Sequence, residues 1–280
     1  MEKKVIFLDG LMIPATQAWV KMLSPGILSG AGVFETMRSY KGEIFALKQH
    51  LQRLYDGLKI LKIQPPCLRK EMISYLNESL KVNNLKNARI RLIVWTAKKK
   101  TRISIAAFSY HPLLKEKYNQ GFKAIFSDIR RDENAISSRI KTVNYLPLLM
   151  AQRKAKARGN DEAILLNSRG FVVEGSKTNI FYIKDKKLYT PALKSGCLNG
   201  ITRQIVLKLA KKMDLQVSER LILPDNLFEA DEAFLTNSLI EVMPLTVAQG
   251  QVIGSGKAGS LTKKVLKTYR QEIRNSLAKS

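Results

Sequence analysis

The sequence predicts an α+β protein of two domains. Two amphipathic helical stretches lie among hairpins in the first hundred residues, and one polar stretch without strand pattern, SYHPLLKEKYNQG, interrupts the chain. After it, short strands return in quick succession before two further helical stretches. The predicted boundaries are a small N-terminal domain over 1–108, a linker over 109–121, and a larger domain over 122–280.

In chain order, Val5 to Leu8 form a short strand turned by Asp9-Gly10 into Met12 and Ile13. VFETMRSY, the pair Lys41-Gly42 and EIFAL predict a second hairpin. Leu51, Leu54, Leu58 and Leu61 recur at helical spacing, and that helix must stop before Pro65-Pro66. A helix over Leu68 to Val82 presents Met72, Ile73, Leu76 and Leu80. ARIRLIVW and RISIAAF are strands joined by a basic loop from Thr96 to Thr101. In the second domain, FKAIFSDI is a strand, and Asn144 is the expected cap of a helix that carries Pro147 in its first turn and ends at Gly159. EAILLN, FVVE and TNIFYIKDKKLYT follow as strands, then a helix from Ile201 to Met213, a strand and loop over Leu215 to Leu223, the strand and turn FEADEAFLTNSLIEVMPLT, and a basic terminal helix.

Composition narrows the function classes. The 280 residues are 45% hydrophobic, enough for real cores. A formal charge of +25 attracts anionic partners, yet the bases are spread along the whole chain and no nucleic-acid reading motif is present. This argues for a lysine-rich surface that steers an anionic small molecule, and against nucleic acid. Cys67 and Cys197 are too few for a disulfide framework, and with His50 and His111 they make no metal cluster. A reducing cytoplasm is expected. MEKKVIFLDG reads as a first strand and not as a signal peptide, and no apolar run reaches the roughly 20 residues that a membrane helix needs.

The candidate site is centred on Lys141 in RIKTVNYL. A lysine in a short strand-to-helix connection is partly desolvated, which favours the neutral amine that acts as nucleophile or base. Glu174 closes an apolar strand, and the small Gly175-Ser176 after it let a carboxylate turn towards a ligand, where it could hold a pyridinium nitrogen. Gly200, Ile201 and Thr202 open a helix, so backbone N–H groups there favour a phosphate. Asn237 and Ser238 could add donors, and Arg53 a two-pronged phosphate contact.

GAGVFETMRSYKGEIFALKQHLQRL, RIKTVNYL, EGSKTNIFYI, LNGITR and DEAFLTNSLIEVMPL, in this order, resemble the class IV, fold-type IV aminotransferase family of pyridoxal-phosphate enzymes, which have the D-amino-acid aminotransferase fold. The resemblance runs from about Val5 to Ile273. It implies pyridoxal 5'-phosphate as cofactor, Lys141 as the Schiff-base lysine that also moves the proton, and Glu174 on the pyridine nitrogen. It further implies Arg53, Ile201, Thr202, Asn237 and Ser238 on the phosphate, Tyr145 near the phenolic oxygen, and a homodimer with its site between the domains.

Within the family, Thr36 after Phe34-Glu35 looks like the 4-amino-4-deoxychorismate lyases, where a threonine faces the substrate and could help protonate the leaving group, and GVFETMRSY, ADEAFLTNSLIEVMPL and the later GSGKAG are also similar to lyases. The expected activity is therefore release of pyruvate and 4-aminobenzoate in folate synthesis. The enzyme alternative is a branched-chain or D-amino-acid aminotransferase, and a non-catalytic polyanion-binding protein on the same fold is the second alternative. One departure stands out: TAKKKTR between Trp95 and Ile103 is shorter than the family loop, and it reads first as a solvated hairpin tip, with Lys98 to Lys100 and Arg102 meeting substrate carboxylates as the second reading.

Overall fold

The computed structural model describes residues 4–18, 25–97 and 100–278. They form two compact units: Met1–His111 with Ile140–Asn144 and Ser276–Ser280, and Pro112–Arg139 with Tyr145–Asn275. Among the described residues no helix is long and apolar enough to cross a membrane.

The first unit contains β1 (Val5–Leu8), β2 (Leu11–Pro14), α1 (Pro25–Leu28), β3 (Gly32–Tyr40), β4 (Glu43–Ile44), α2 (Leu47–Ile60), α3 (Arg69–Val82), β5 (Ala88–Ala97) and β6 (Lys100–Ser109). Its six-stranded sheet has the order β2-β1-β6-β5-β3-β4, antiparallel throughout. Two of its hairpins turn on two residues that both have positive φ, Asp9-Gly10 (48° and 100°) and Lys41-Gly42 (53° and 95°), the backbone that matches strand twist. Leu51, Leu54 and Leu58 of α2 and Met72, Leu76 and Leu80 of α3 are buried with Val33, Met37, Ile90, Leu92 and Val94 of the sheet, so the leucine spacing becomes the core. Glu71 accepts the Leu68 N–H at 2.7 Å and closes the first turn of α3. The β5–β6 ladder continues to Ala97 opposite Lys100, which makes the basic loop a continuation of two strands. Lys98 and Lys99 lie outside the described residues. Arg102 is ion-paired with Asp9, whose carboxylate the β1–β2 turn brings beside β6.

The second unit contains α4 (Lys115–Gln120), β7 (Phe122–Phe126), α5 (Ile136–Arg139), α6 (Leu146–Ala157), β8 (Glu162–Leu166), β9 (Val172–Gly175), β10 (Asn179–Lys184), β11 (Lys187–Pro191), α7 (Ile201–Lys212), β12 (Val217–Arg220), α8 (Asp225–Phe228), β13 (Glu232–Asn237), β14 (Glu241–Ala248), β15 (Gln251–Val252) and α9 (Ser260–Leu277). The long sheet runs β12-β11-β10-β13-β14-β7-β8-β9, with β15 on β14. Its β14–β7 and β7–β8 pairs are parallel, and β8–β9 and β10–β13 are antiparallel. Phe181 and Phe234 stack across β10 and β13, with ring centroids 4.9 Å apart.

The segment read as a linker contains α4, which Tyr118 anchors: the ring is buried and its hydroxyl donates to the Ile240 carbonyl at 3.1 Å. One local expectation is corrected. Asn144 does not cap α6. Tyr145 holds that position, and the Asn144 amide donates to the Gly30 carbonyl at 3.2 Å.

The start of α9 is closed from outside. The Glu232 carboxylate accepts the N–H groups of Leu261 (3.0 Å) and Thr262 (2.7 Å), and Gly259 leaves it room, since a Cβ there would come within 1.9 Å of the Glu232 side chain. Glu232→Ala is expected to lower the unfolding free energy by about 1 kcal/mol through loss of this cap, read as a lower urea midpoint at an unchanged slope.

Candidate active site

In the first unit, the segment 140–144 runs beside the start of β3. Phe34 N–H donates to the Lys141 carbonyl (2.9 Å), Val143 N–H to the Gly32 carbonyl (3.1 Å), and Val33 bridges Thr142. Ile140 is buried in the core of this unit, and its neighbour Lys141 falls on the opposite side of the segment. There the Lys141 ammonium lies 4.5 Å from the centroid of the Phe34 ring. Arg91 approaches the same ring at 4.6 Å, and Thr36 pairs directly with Arg91 across β3 and β5. Thr36 and Lys141 are both half-buried.

Arg53 on α2 grips Glu35 with two prongs, Nε to Oε1 at 2.7 Å and Nη2 to Oε2 at 2.6 Å, and His50 Nδ1 meets Oε2 at 2.7 Å. Burial alone pushes the Glu35 carboxyl up. The charges of Arg53 and His50, with their hydrogen bonds, outweigh it and hold the carboxyl at about 2. Burial lowers His50, Glu35 offsets part of this, and the charges of Arg53 and Lys141 lower it further. The guanidinium expected at a phosphate is therefore fixed in one orientation by a buried carboxylate. Glu35 and His50 were not among the expected site residues; their only signal is the i, i+3 spacing of His50 and Arg53 on one helix face.

In the second unit, Glu174 on β9 is buried. Its Oε2 accepts the Leu198 N–H (3.0 Å) and the Asn179 amide (3.3 Å), and Arg131 Nε lies 3.1 Å from Oε1. Arg131 also donates to the carbonyls of Gly196, Ser137 and Ser138, so one side chain ties α5 and the Gly196 loop to Glu174. Sequence reading passed over it in the polar connection RRDENAISS. Cys197 is no nucleophile: burial first, then the negative charge of Glu174, pushes its thiol up to about 11.

Helix α7 begins at Ile201 and Thr202, both buried, behind Gly200, which supplies no side-chain cap. A Cβ at Gly200 would lie 2.0 Å from Asn179 Oδ1, so a larger residue here would have to displace the Asn179 amide. The Thr202 hydroxyl stands 3.4 Å from that of Tyr269. Tyr145, half-buried, donates to the Ser176 carbonyl at 2.7 Å. Asn237 accepts the N–H groups of Leu239 (2.8 Å) and Ile240 (2.9 Å) and donates to the Lys177 carbonyl (3.1 Å), so both ends of its amide shape the turn that carries half-buried Ser238.

Taken unit by unit, the residue chemistry suits a phosphorylated pyridine ring: in the second unit a buried carboxylate and a helix start without a side-chain cap are the groups that a ring nitrogen and a phosphate require, and in the first unit a half-buried amine is the group that a ring aldehyde requires. Among the described residues no cluster suited to a metal ion exists.

The chain belongs to the amino-transferase class IV family, whose model matches residues 32–247. It is 38% identical to a putative branched-chain-amino-acid aminotransferase of Methanocaldococcus jannaschii, over 95% of each chain. The Escherichia coli branched-chain amino acid aminotransferase structure superposes with a TM-score of 0.92 at 30% identity, covering 97% of this chain and 95% of that one. The T.th. branched-chain amino acid aminotransferase, solved with pyridoxamine 5'-phosphate, gives a TM-score of 0.92 at 29% identity, covering 98% and 95%. The two-domain α+β fold is thus that of the class IV enzymes.

The lyase expectation is overturned. Relatives that match along nearly the whole chain are named branched-chain aminotransferases and, in one case from Bacillus licheniformis at 32% identity, D-alanine aminotransferase; neither aminodeoxychorismate cleavage nor a place in folate synthesis is supported. Thr36 is one half-buried side chain on β3, too small a feature to fix a substrate, and its role as proton donor to a leaving group falls with that reading.

Proposed function

We propose that this chain is a branched-chain amino-acid aminotransferase, moving the amino group from a branched-chain amino acid to a 2-oxo acid. The observation that carries this is the full-length likeness to proteins named for that activity. As a class IV amino-transferase the chain is a pyridoxal-phosphate enzyme. When bound, the cofactor supplies an electron sink that makes loss of the substrate's α-proton feasible.

The protein's own groups would act as follows. Lys141 Nζ would be the attachment point for the cofactor and, once displaced by the substrate amine, the base that would take the substrate's α-proton and hand it to the cofactor's former aldehyde carbon. Glu174, oriented by Arg131, Leu198 and Asn179, accepts from the ring nitrogen. Ile201 and Thr202 offer the N–H groups at the start of α7 to the phosphate, Ser238 adds a donor, and Arg53 presents a guanidinium already aligned by Glu35. Tyr145 stands at the phenolic oxygen. Phe34 and Thr36 give the substrate side chain apolar surface. We further propose that the chain works as a homodimer, as the resemblance implies; light scattering that returns a monomer's mass would contradict this.

The deciding assay supplies leucine, isoleucine or valine with 2-oxoglutarate and measures glutamate. Glutamate formation from leucine at least about 10-fold faster than from D-alanine, a preference of about 1.4 kcal/mol, is expected. A preference for D-alanine would overturn the reading.

A further inference from the structure

Glu162 opens β8 and is almost fully buried, at 2% exposure. Its carboxylate is wrapped by the turn joining β9 to β10. It accepts the N–H groups of Ala163 (2.9 Å), Ser176 (3.1 Å) and Lys177 (3.4 Å), the Thr178 hydroxyl (3.1 Å) and the Ser176 hydroxyl. None of these five donors is a charged group. A buried anion held by neutral donors alone is costly, and burial pushes this carboxyl up, with the hydrogen bonds pulling it back. The donor set explains why an acid stands here: only an acceptor-only group can satisfy five donors converging on two oxygens, whereas an amide would turn N–H groups into them. The turn closes so tightly that a Cβ on Gly175 would lie 2.1 Å from Thr178 Oγ1 and 3.0 Å from Glu162 Cδ.

The other side of this turn meets the candidate active site. The Ser176 carbonyl receives Tyr145, and the Lys177 carbonyl receives Asn237. Glu174 immediately precedes the turn, and Asn179, whose amide reaches both Glu174 and the Leu198 carbonyl, immediately follows it. One template beneath four turn residues thus sets the position of Glu174, Tyr145 and Asn237.

We propose that Glu162 is a positioning residue for the cofactor, its carboxylate moulding the turn 175–178 on which those three side chains depend. The proposal rests on the assignment of Glu174, Tyr145 and Asn237 to the cofactor's surroundings. Glu162 itself touches no reacting atom, so its effect must pass through the turn.

The test uses purified full-length protein stripped of cofactor and titrated with pyridoxal 5'-phosphate. Affinity, the pH dependence of the visible absorption band, and the thermal midpoint of the stripped protein are followed together. Glu162→Gln is expected to weaken affinity on the order of 10-fold or more, the size found when a partner that orients a binding group is removed, and to shift the pH at which the band changes. A lower thermal midpoint with unchanged affinity and unchanged pH dependence would reduce Glu162 to a purely structural residue and overturn the proposal. If that variant is insoluble, Ser176→Ala and Thr178→Val each remove one donor to the carboxylate, and wild-type affinity and pH dependence in both would also overturn it. Glu174→Gln, run on the same readouts, separates the two ideas. A shift there without one at Glu162→Gln sinks the positioning role alone, whereas no shift at Glu174→Gln sinks the assignment of Glu174 and with it the route proposed from Glu162.

Discussion

Lys141→Ala is expected to lower transamination at least about 10³-fold, within the range that a positioned proton-transfer group contributes. The expectation follows from where the side chain sits. Backbone hydrogen bonds from Phe34 and Val143 pin the segment, Ile140 locks it into the core of the first unit, and the amine lies over the Phe34 ring. None of these backbone ties depends on the lysine side chain, so the variant keeps its fold, and its thermal midpoint should stay within a few degrees of wild type. Two spectroscopic results should accompany the loss. The wild-type protein is yellow, and borohydride fixes the cofactor to it; the variant loses the corresponding band, and borohydride fixes nothing. Activity within 10-fold of wild type would refute the role of Lys141, and so would borohydride-stable cofactor in the variant.

Much of the local structure is legible in the sequence because local rules decide it. Asp9-Gly10 and Lys41-Gly42 announce hairpins whose turn residues do take positive φ. The spacing of Leu51, Leu54 and Leu58 announces the buried face of α2. What stays hidden depends on contacts across long stretches of chain. That 140–144 belongs with the first unit follows from Ile140 filling a gap in a core built a hundred residues earlier, and no local signal carries that. Arg131 in a polar connection and Glu162 at the head of an apolar strand look like ordinary solvated charges until Gly175, Ser176 and Gly196 are folded around them. Thr36 shows the opposite failure. Thr36 and a few short motifs point to a lyase, and likeness along the whole chain to branched-chain aminotransferases outweighs them.

The same reasoning gives the acid response of the first unit. Glu35 has a folded-state value of about 2 against an ordinary 4.5, so the folded form holds fewer protons than the unfolded form between those values. Its contribution to stability is therefore complete above pH 4.5 and is lost as the pH falls towards 2. At roughly 1.4 kcal/mol for each pH unit between the two values, that contribution is about 3 kcal/mol. His50 acts in the same direction. Burial holds it below its ordinary 6.5, so the unfolded chain takes up the proton first, and stability declines as the pH drops below that value. Chemical denaturation of the wild-type protein should thus show unfolding free energy falling steadily through the acid range. Glu35→Gln should remove much of the fall between 4.5 and 2 and should cost about 3–5 kcal/mol near neutrality, because the Arg53 charge is left beside a group that cannot oppose it. Its effect on the cofactor should be separable: Arg53 keeps its charge but loses the two prongs that orient it, so pyridoxal-phosphate affinity should weaken while the preference for leucine over D-alanine stays. A Glu35→Gln protein with the wild-type acid profile would show that the carboxyl is not held low by Arg53 and His50, and the account of this triad would fail.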